Sequence, residues 1–183
     1  METVKGVYLD DPEMVYPDPA TVETSRSWWG GQRSLGDYLF SCPTRAVGIK
    51  VAGDEGRMEN VRVYHFKKVQ YGSIVVPHTE ELNYLFPVPP ELGGLMDEED
   101  LDISETLIAY WGNFMISHDG DPNVCWREEC KELPYWPVYN VDDDEVMGIG
   151  GVDEGGVRTV RGLKEIECVY WIQEIEEDMG EYF

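Results

Sequence analysis

The sequence predicts a mixed α/β chain from two contrasting periodicities within a length suited to one domain. "VRVYHFKKV" (61–69) and "YGSIVVP" (71–77) are rich in β-branched and aromatic residues and have the length of strands. Residues 101–117 and about 161–177 instead repeat their apolar side chains at helical spacing. With 183 residues, 42% of them hydrophobic and 12% aromatic, the chain can bury a sizeable core and is not of disordered composition.

The elements follow in order. Residues 10–35, with Pro12, Pro17, Pro19 and the Gly30-Gly31 pair, read as connecting loop with room for a short helix. The two strands come next, and Pro77 ends the second. His78 therefore follows a strand end, where open α/β sheets commonly display reactive side chains. In "LDISETLIAYWGNFMIS" (101–117), Asp102 and Glu105 have capping-box spacing, and Ile103, Leu107, Tyr110, Trp111 and Phe114 form an apolar stripe. Gly120 and Pro122 are the expected stop. "YWPVYN" (135–140) reads as a short strand or extended segment with Pro137 at an edge. "MGIGGVDEGG" (147–156) lacks the Lys-Ser/Thr ending of a phosphate loop and reads as a flexible turn. In the last helix Cys168, Trp171, Ile172 and Ile175 share one face, so Cys168 is expected to point into an apolar contact.

Charge and composition exclude several function classes. A formal net charge of −23, from 37 acidic and 14 basic residues, opposes binding to nucleic acid or to an anionic membrane surface. No apolar run is long enough for a transmembrane helix. The first residues have no apolar core of a signal peptide. Cys42, Cys125, Cys130 and Cys168 allow three disulfide connectivities. Cys125 and Cys130 come close to zinc spacing, but no second tight Cys/His pair completes a site, so no metal is expected. Disulfides need an oxidising compartment. Without a leader of its own, the chain is expected to be the later part of a longer secreted protein. The acidic clusters 119–123 and 141–146 invite a calcium reading, but counted from Asp119 the EF-hand pattern fails, because Val124 and Cys130 stand where Gly and Glu are required. They read as solvated loops, and no cofactor is expected. The chain has no G-x-S-x-G nucleophile motif. On its own residues, His78 reads first as a hydrogen-bonded structural histidine.

Several stretches in fixed order alter that reading. "VYP" (15–17), "GDYLFSCPTR" (36–45), "VRVYHF" (61–66), "PHTEELNYLF" (77–86), "IAYWGNFMISHDGDPN" (108–123), "WPVYN" (136–140) and "CVYWIQEI" (168–175) resemble the C-terminal third of type-B carboxylesterases and cholinesterases. These are α/β-hydrolases, and the resemblance covers about residues 15–175. It implies a single partial domain over 1–183, made of the last sheet strands and their packing helices and incomplete by itself.

It also implies that His78 is the catalytic histidine, with Glu81 and Phe86 marking the register. Such a histidine takes a proton from a serine attacking an ester carbonyl and returns it to the leaving alcohol. The serine, the orienting acid and the oxyanion hole lie upstream in the family. This chain alone is therefore expected to be inactive on the small-molecule esters that the complete protein would hydrolyse. The resemblance further implies a Cys42–Cys168 disulfide that staples the last helix, which leaves Cys125 and Cys130 to close a small loop. The longer protein would belong to the secretory pathway and could assemble with a second copy through its C-terminal helices. Thr79 departs from the family, which usually has Gly there, and "MISHD" is longer than usual. A non-catalytic, cholinesterase-like adhesion protein is the alternative.

Overall fold

The computed structural model describes residues 3–10, 23–53, 60–69, 75–125, 132–151 and 156–179. They fall into two compact units, one joining Met1–Gly53 with Gly162–Phe183 and the other spanning Asp54–Arg161.

The first unit is helical. After a π-helical turn at Gly6–Asp10, helix α1 covers Arg26–Gly36. The reading of 10–35 as loop with a short helix is thus corrected only in extent, since helix fills its last third, while 11–22 lie outside the described residues. Ser25 is the physical reason: it is extended (φ −76°, ψ 154°), and its hydroxyl accepts from Trp28 N at 3.2 Å. That satisfies one of the helix's unpaired first-turn amides. The glycine pair is tolerated because Trp29, Gly30 and Ser34 are buried, so packing outweighs propensity. The chain continues through a π-helical turn at Asp37–Ser41 into α2, Cys42–Gly53. Pro43 sits in the first turn of α2, where its missing N–H costs little. Helix α5 covers Glu165–Met179, and Gly162 (φ 62°) and Lys164 (φ 56°) make the turn that begins it.

Cys42 and Cys168, both fully buried, form a disulfide with Cα atoms 4.9 Å apart across 126 residues of sequence. The inward face expected for Cys168 is what makes this geometry possible. Beside it, buried Asp37 accepts from Tyr8 Oη at 3.0 Å and pairs with Lys164 Nζ at 3.0 Å, while Trp171 Nε1 donates to Tyr8 Oη at 2.9 Å. Burial first, and then the Asp37 charge, push the Tyr8 phenol well above its ordinary pKa. Tyr8 therefore stays protonated and acts as the donor to Asp37.

The second unit carries a three-stranded sheet in the order β1–β2–β3, with β1 at Tyr64–Phe66, β2 at Glu145–Gly151 and β3 at Gly156–Arg161. β1 runs parallel to β2, with Tyr64 opposite Met147, and β2 runs antiparallel to β3. The strand expected over 61–69 is thus shorter. The one expected over 71–77 falls partly outside the described residues, and 75–77 form a bend and coil.

"MGIGG" is a strand and not a flexible turn. Met147 and Ile149 are fully buried on one face, and the glycines that follow each of them, Gly148 and Gly150, permit close approach. A Cβ on Gly150 (φ 88°) would lie 2.4 Å from the Lys68 Cβ. The turn reading treated those glycines as punctuation, whereas they mark contact with a neighbouring backbone. Residues 135–140 form neither strand nor helix and do not join the sheet, although Tyr139 N donates to Val61 O at 2.8 Å.

Helix α3 is short, Glu81–Leu85, and α4 covers Glu98–Ile116. The capping box begins at Asp97 and not at Asp102, five residues earlier than the sequence suggested. Asp97 accepts from Asp100 N at 2.9 Å, and Asp100 accepts from Asp97 N at 3.3 Å. Asp102 and Glu105 fall inside the helix because the earlier acidic residues already satisfy its first amides. Ile103, Leu107 and Tyr110 are buried as expected, but Phe114 is half exposed, since the stripe turns away from the core towards the C-terminus. The core joins these side chains to Phe66, Tyr84, Trp136, Met147 and Ile149. Each such large apolar side chain contributes roughly 1.5–3 kcal/mol on burial.

Candidate active-site histidine

His78 lies in a turn between the end of "VVP" and helix α3, where it and Thr79 are exposed and Glu80 is buried. Local hydrogen bonds form this turn: Glu80 N donates to Pro77 O at 3.3 Å, Leu82 N to Thr79 O at 3.1 Å and Asn83 N to Glu80 O at 3.2 Å. Thr79 adopts φ 75°, the left-handed region that a β-branched residue occupies only at a cost. The Thr-for-Gly departure at this position therefore leaves local strain beside the histidine.

What holds the turn is the anchoring of α3 on α4. Tyr84 is buried, and its hydroxyl donates to Asp100 Oδ1 at 2.9 Å. Ser104 Oγ donates to Tyr84 O at 2.6 Å. Lys68, with only 9% of its side chain exposed, pairs with Glu99 at 2.8 Å and Asp100 at 3.4 Å. Burial lowers the Lys68 pKa, but the two carboxylates outweigh that and hold it above its ordinary value. Burial, followed by the hydrogen bond to Asp100, raises the Tyr84 phenol. Both groups keep their protons near neutrality, so each remains a donor to Asp100. Glu80 is buried and accepts from Asn83 Nδ2 at 3.4 Å. Of the register markers, Glu81 is half-buried and Phe86 is exposed.

The "GDPN" stretch is a polar clamp. Asp121 Oδ1 accepts from Arg62 Nη2 at 3.1 Å and from Asn123 N at 2.9 Å. Asn123 also exchanges hydrogen bonds with the Trp136 backbone, at 2.9 and 2.7 Å. Asn113 Nδ2 reaches Pro122 O at 3.0 Å. One loop thus ties the end of α4, the approach to β1 and residues 135–140 to one another. The solvated-loop reading of 119–123 missed these bonds, although the side-chain amides of Asn113 and Asn123 were visible signals for them. Tyr64 stacks edge-on against Trp111 and Trp136, with centroids 5.1 and 6.0 Å away, and this closes the aromatic side of the core.

Of the other predicted site residues, Cys42 and Cys168 meet in the first unit. Cys125 is exposed and oxidised, and Cys130 lies outside the described residues. The Asp37–Lys164 pair and the Lys68–Asp100–Tyr84 network were not read from sequence, because buried ion pairing depends on contacts between distant segments. What the site can do is present an imidazole to solvent from a turn that a buried network holds in place.

A small mixed sheet flanked by helices, with an exposed histidine ahead of α3, is the arrangement of a partial α/β-hydrolase. The comparisons agree: the family model for "Carboxylesterase family" matches residues 3–171. The chain belongs to that family. It is 29% identical over 146 residues to Carboxylesterase 1F of Mus musculus, covering 78% of this chain and 24% of the mouse protein. It is 28% identical over 141 residues to Carboxylesterase 1E of Rattus norvegicus, covering 75% and 23%. Acetylcholinesterase-1 of Trittame loki is 25% identical over 143 residues, again covering 75% and 23%. The chain thus spans 23–24% of the length of these curated relatives.

Proposed function

We propose that this chain is the C-terminal part of a carboxylesterase- or cholinesterase-like serine hydrolase and that His78 is its acid–base residue. The carrying observation is the exposed His78 turn ahead of α3, anchored through Tyr84 and Asp100, in a chain of this family. In the complete domain the imidazole would take the serine proton and pass it to the leaving alcohol of a small-molecule ester. A histidine separated from its nucleophile retains little of that function. The purified chain is therefore expected to hydrolyse p-nitrophenyl acetate no faster than buffer. Turnover by the chain alone that disappears in His78→Ala would overturn this reading. The buried Cys42–Cys168 disulfide supports an oxidising compartment for the longer protein. Pairing of Cys125 with Cys130, and assembly through the C-terminal helices, belong to the same proposal.

A further inference from the structure

We propose that the outer face of α4 docks an amphipathic helix of a partner protein, one with apolar side chains along its contact line and lysine or arginine beside them. Leu101, Ile108 and Met115 are 44%, 45% and 75% exposed, although each is apolar. They stand seven residues apart, and an α-helix drifts only about 20° over that interval. The three therefore form one narrow seam, on the side away from buried Ile103, Leu107 and Tyr110. Strict seven-residue spacing is the contact line of one helix wound on another, whereas a lipid surface takes a broader apolar face.

Gly112 lies in the same seam, and a Cβ there would meet nothing within 4 Å. Glycine inside a helix is destabilising relative to alanine, and no packing among the described residues requires it here. What it provides is a shallow hole between Ile108 and Met115, into which a side chain of a second helix can insert. Charge then selects the partner. Glu105 and Glu98 stand one and two heptads before Gly112, both exposed, so they border the apolar line. α4 itself has no lysine or arginine. Carboxylates at a helix contact are favourable opposite cations and costly without them. A second copy of α4 offers no cation in either direction, so the complementary helix is a basic one from another protein. Assembly of two copies through α5 uses a different element and is compatible with this docking face.

Fluorescence anisotropy of two labelled peptides, titrated with the full chain, tests the face. Both peptides are helices of about three heptads with leucine opposite Leu101, Ile108 and Met115; one carries lysine and the other glutamate opposite Glu98 and Glu105. The lysine peptide is expected to bind about tenfold tighter, and replacing Glu98 and Glu105 together by lysine is expected to reverse the preference. Ile108→Gln and Met115→Gln are each expected to weaken the lysine peptide about tenfold with unchanged far-UV circular dichroism. Gly112→Leu fills the hole while improving helix propensity, so its affinity is expected to fall as its unfolding midpoint rises. Equal affinity for the two peptides, no binding, or affinity indifferent to Ile108→Gln and Gly112→Leu would overturn the proposal. Chain dimers that Ile108→Gln disperses would make a second copy the occupant. Binding to phosphatidylcholine vesicles that the same variant abolishes would make it a lipid surface. Displacement of the lysine peptide by mouse Carboxylesterase 1F lacking its matching segment would make it the rest of the hydrolase domain. Each of these three results also overturns the partner helix.

Discussion

Thr79 sits at φ 75° immediately after His78, in a conformation that glycine adopts freely and threonine does not. Thr79→Gly is expected to raise stability by about 1 kcal/mol, read as a shift in denaturant midpoint at constant slope. Unchanged or lower stability would remove the case for strain beside the histidine. Asp121 supplies the pH dependence at this scale. Burial alone would raise its carboxyl, but Asn123 N, Arg62 and the Asn123 amide outweigh that and hold it below its ordinary 3.8. A depressed folded pKa means that its stabilisation is complete above about 3.8 and is lost as pH falls through the lower folded value. Asp121→Asn is expected to cost about 1–3 kcal/mol at pH 7 and to flatten the acid limb of a stability profile. A variant with the parent's acid limb would mean that another carboxylate controls it.

Helix α4 depends on a cap that the sequence reading placed too late. Asp97→Ala removes the acceptor for Asp100 N and is expected to cost about 1 kcal/mol, whereas Asp102→Ala, inside the helix, should cost much less. Thermal unfolding of the two variants distinguishes the two cap positions. The apolar stripe was legible because helical periodicity is local. Which aspartate caps was not, since several acidic residues lie in a row and only the geometry selects one. The same limit applied to "MGIGG". Its glycines look like a turn until Lys68 is brought against Gly150.

For the whole molecule, the Cys42–Cys168 bridge closes a sequence interval of 126 residues. On the chain-entropy picture it stabilises by about 4–5 kcal/mol relative to an unbridged unfolded chain. Reduction under native conditions is expected to lower the unfolding midpoint accordingly, and an unchanged midpoint would show that helix packing alone holds this unit. Lys164 adds to the same corner: Lys164→Met leaves buried Asp37 without its cation and is expected to destabilise by about 3–5 kcal/mol, whereas Lys164→Arg should recover most of that.

The sequence by itself determined the family, through short motifs in a fixed order. It also determined the helices whose apolar residues repeat every turn and the inward face of Cys168. Such signals lie within a few residues of one another, and local sterics and solvent preference suffice to read them. Only the tertiary structure decided that Asp37 faces Lys164, that Lys68 is buried against Asp100, that "GDPN" clamps Arg62 and Trp136, and that β1 pairs in parallel with β2. Each of these depends on groups brought together from far along the chain, where burial turns a weak polar preference into a requirement for a partner.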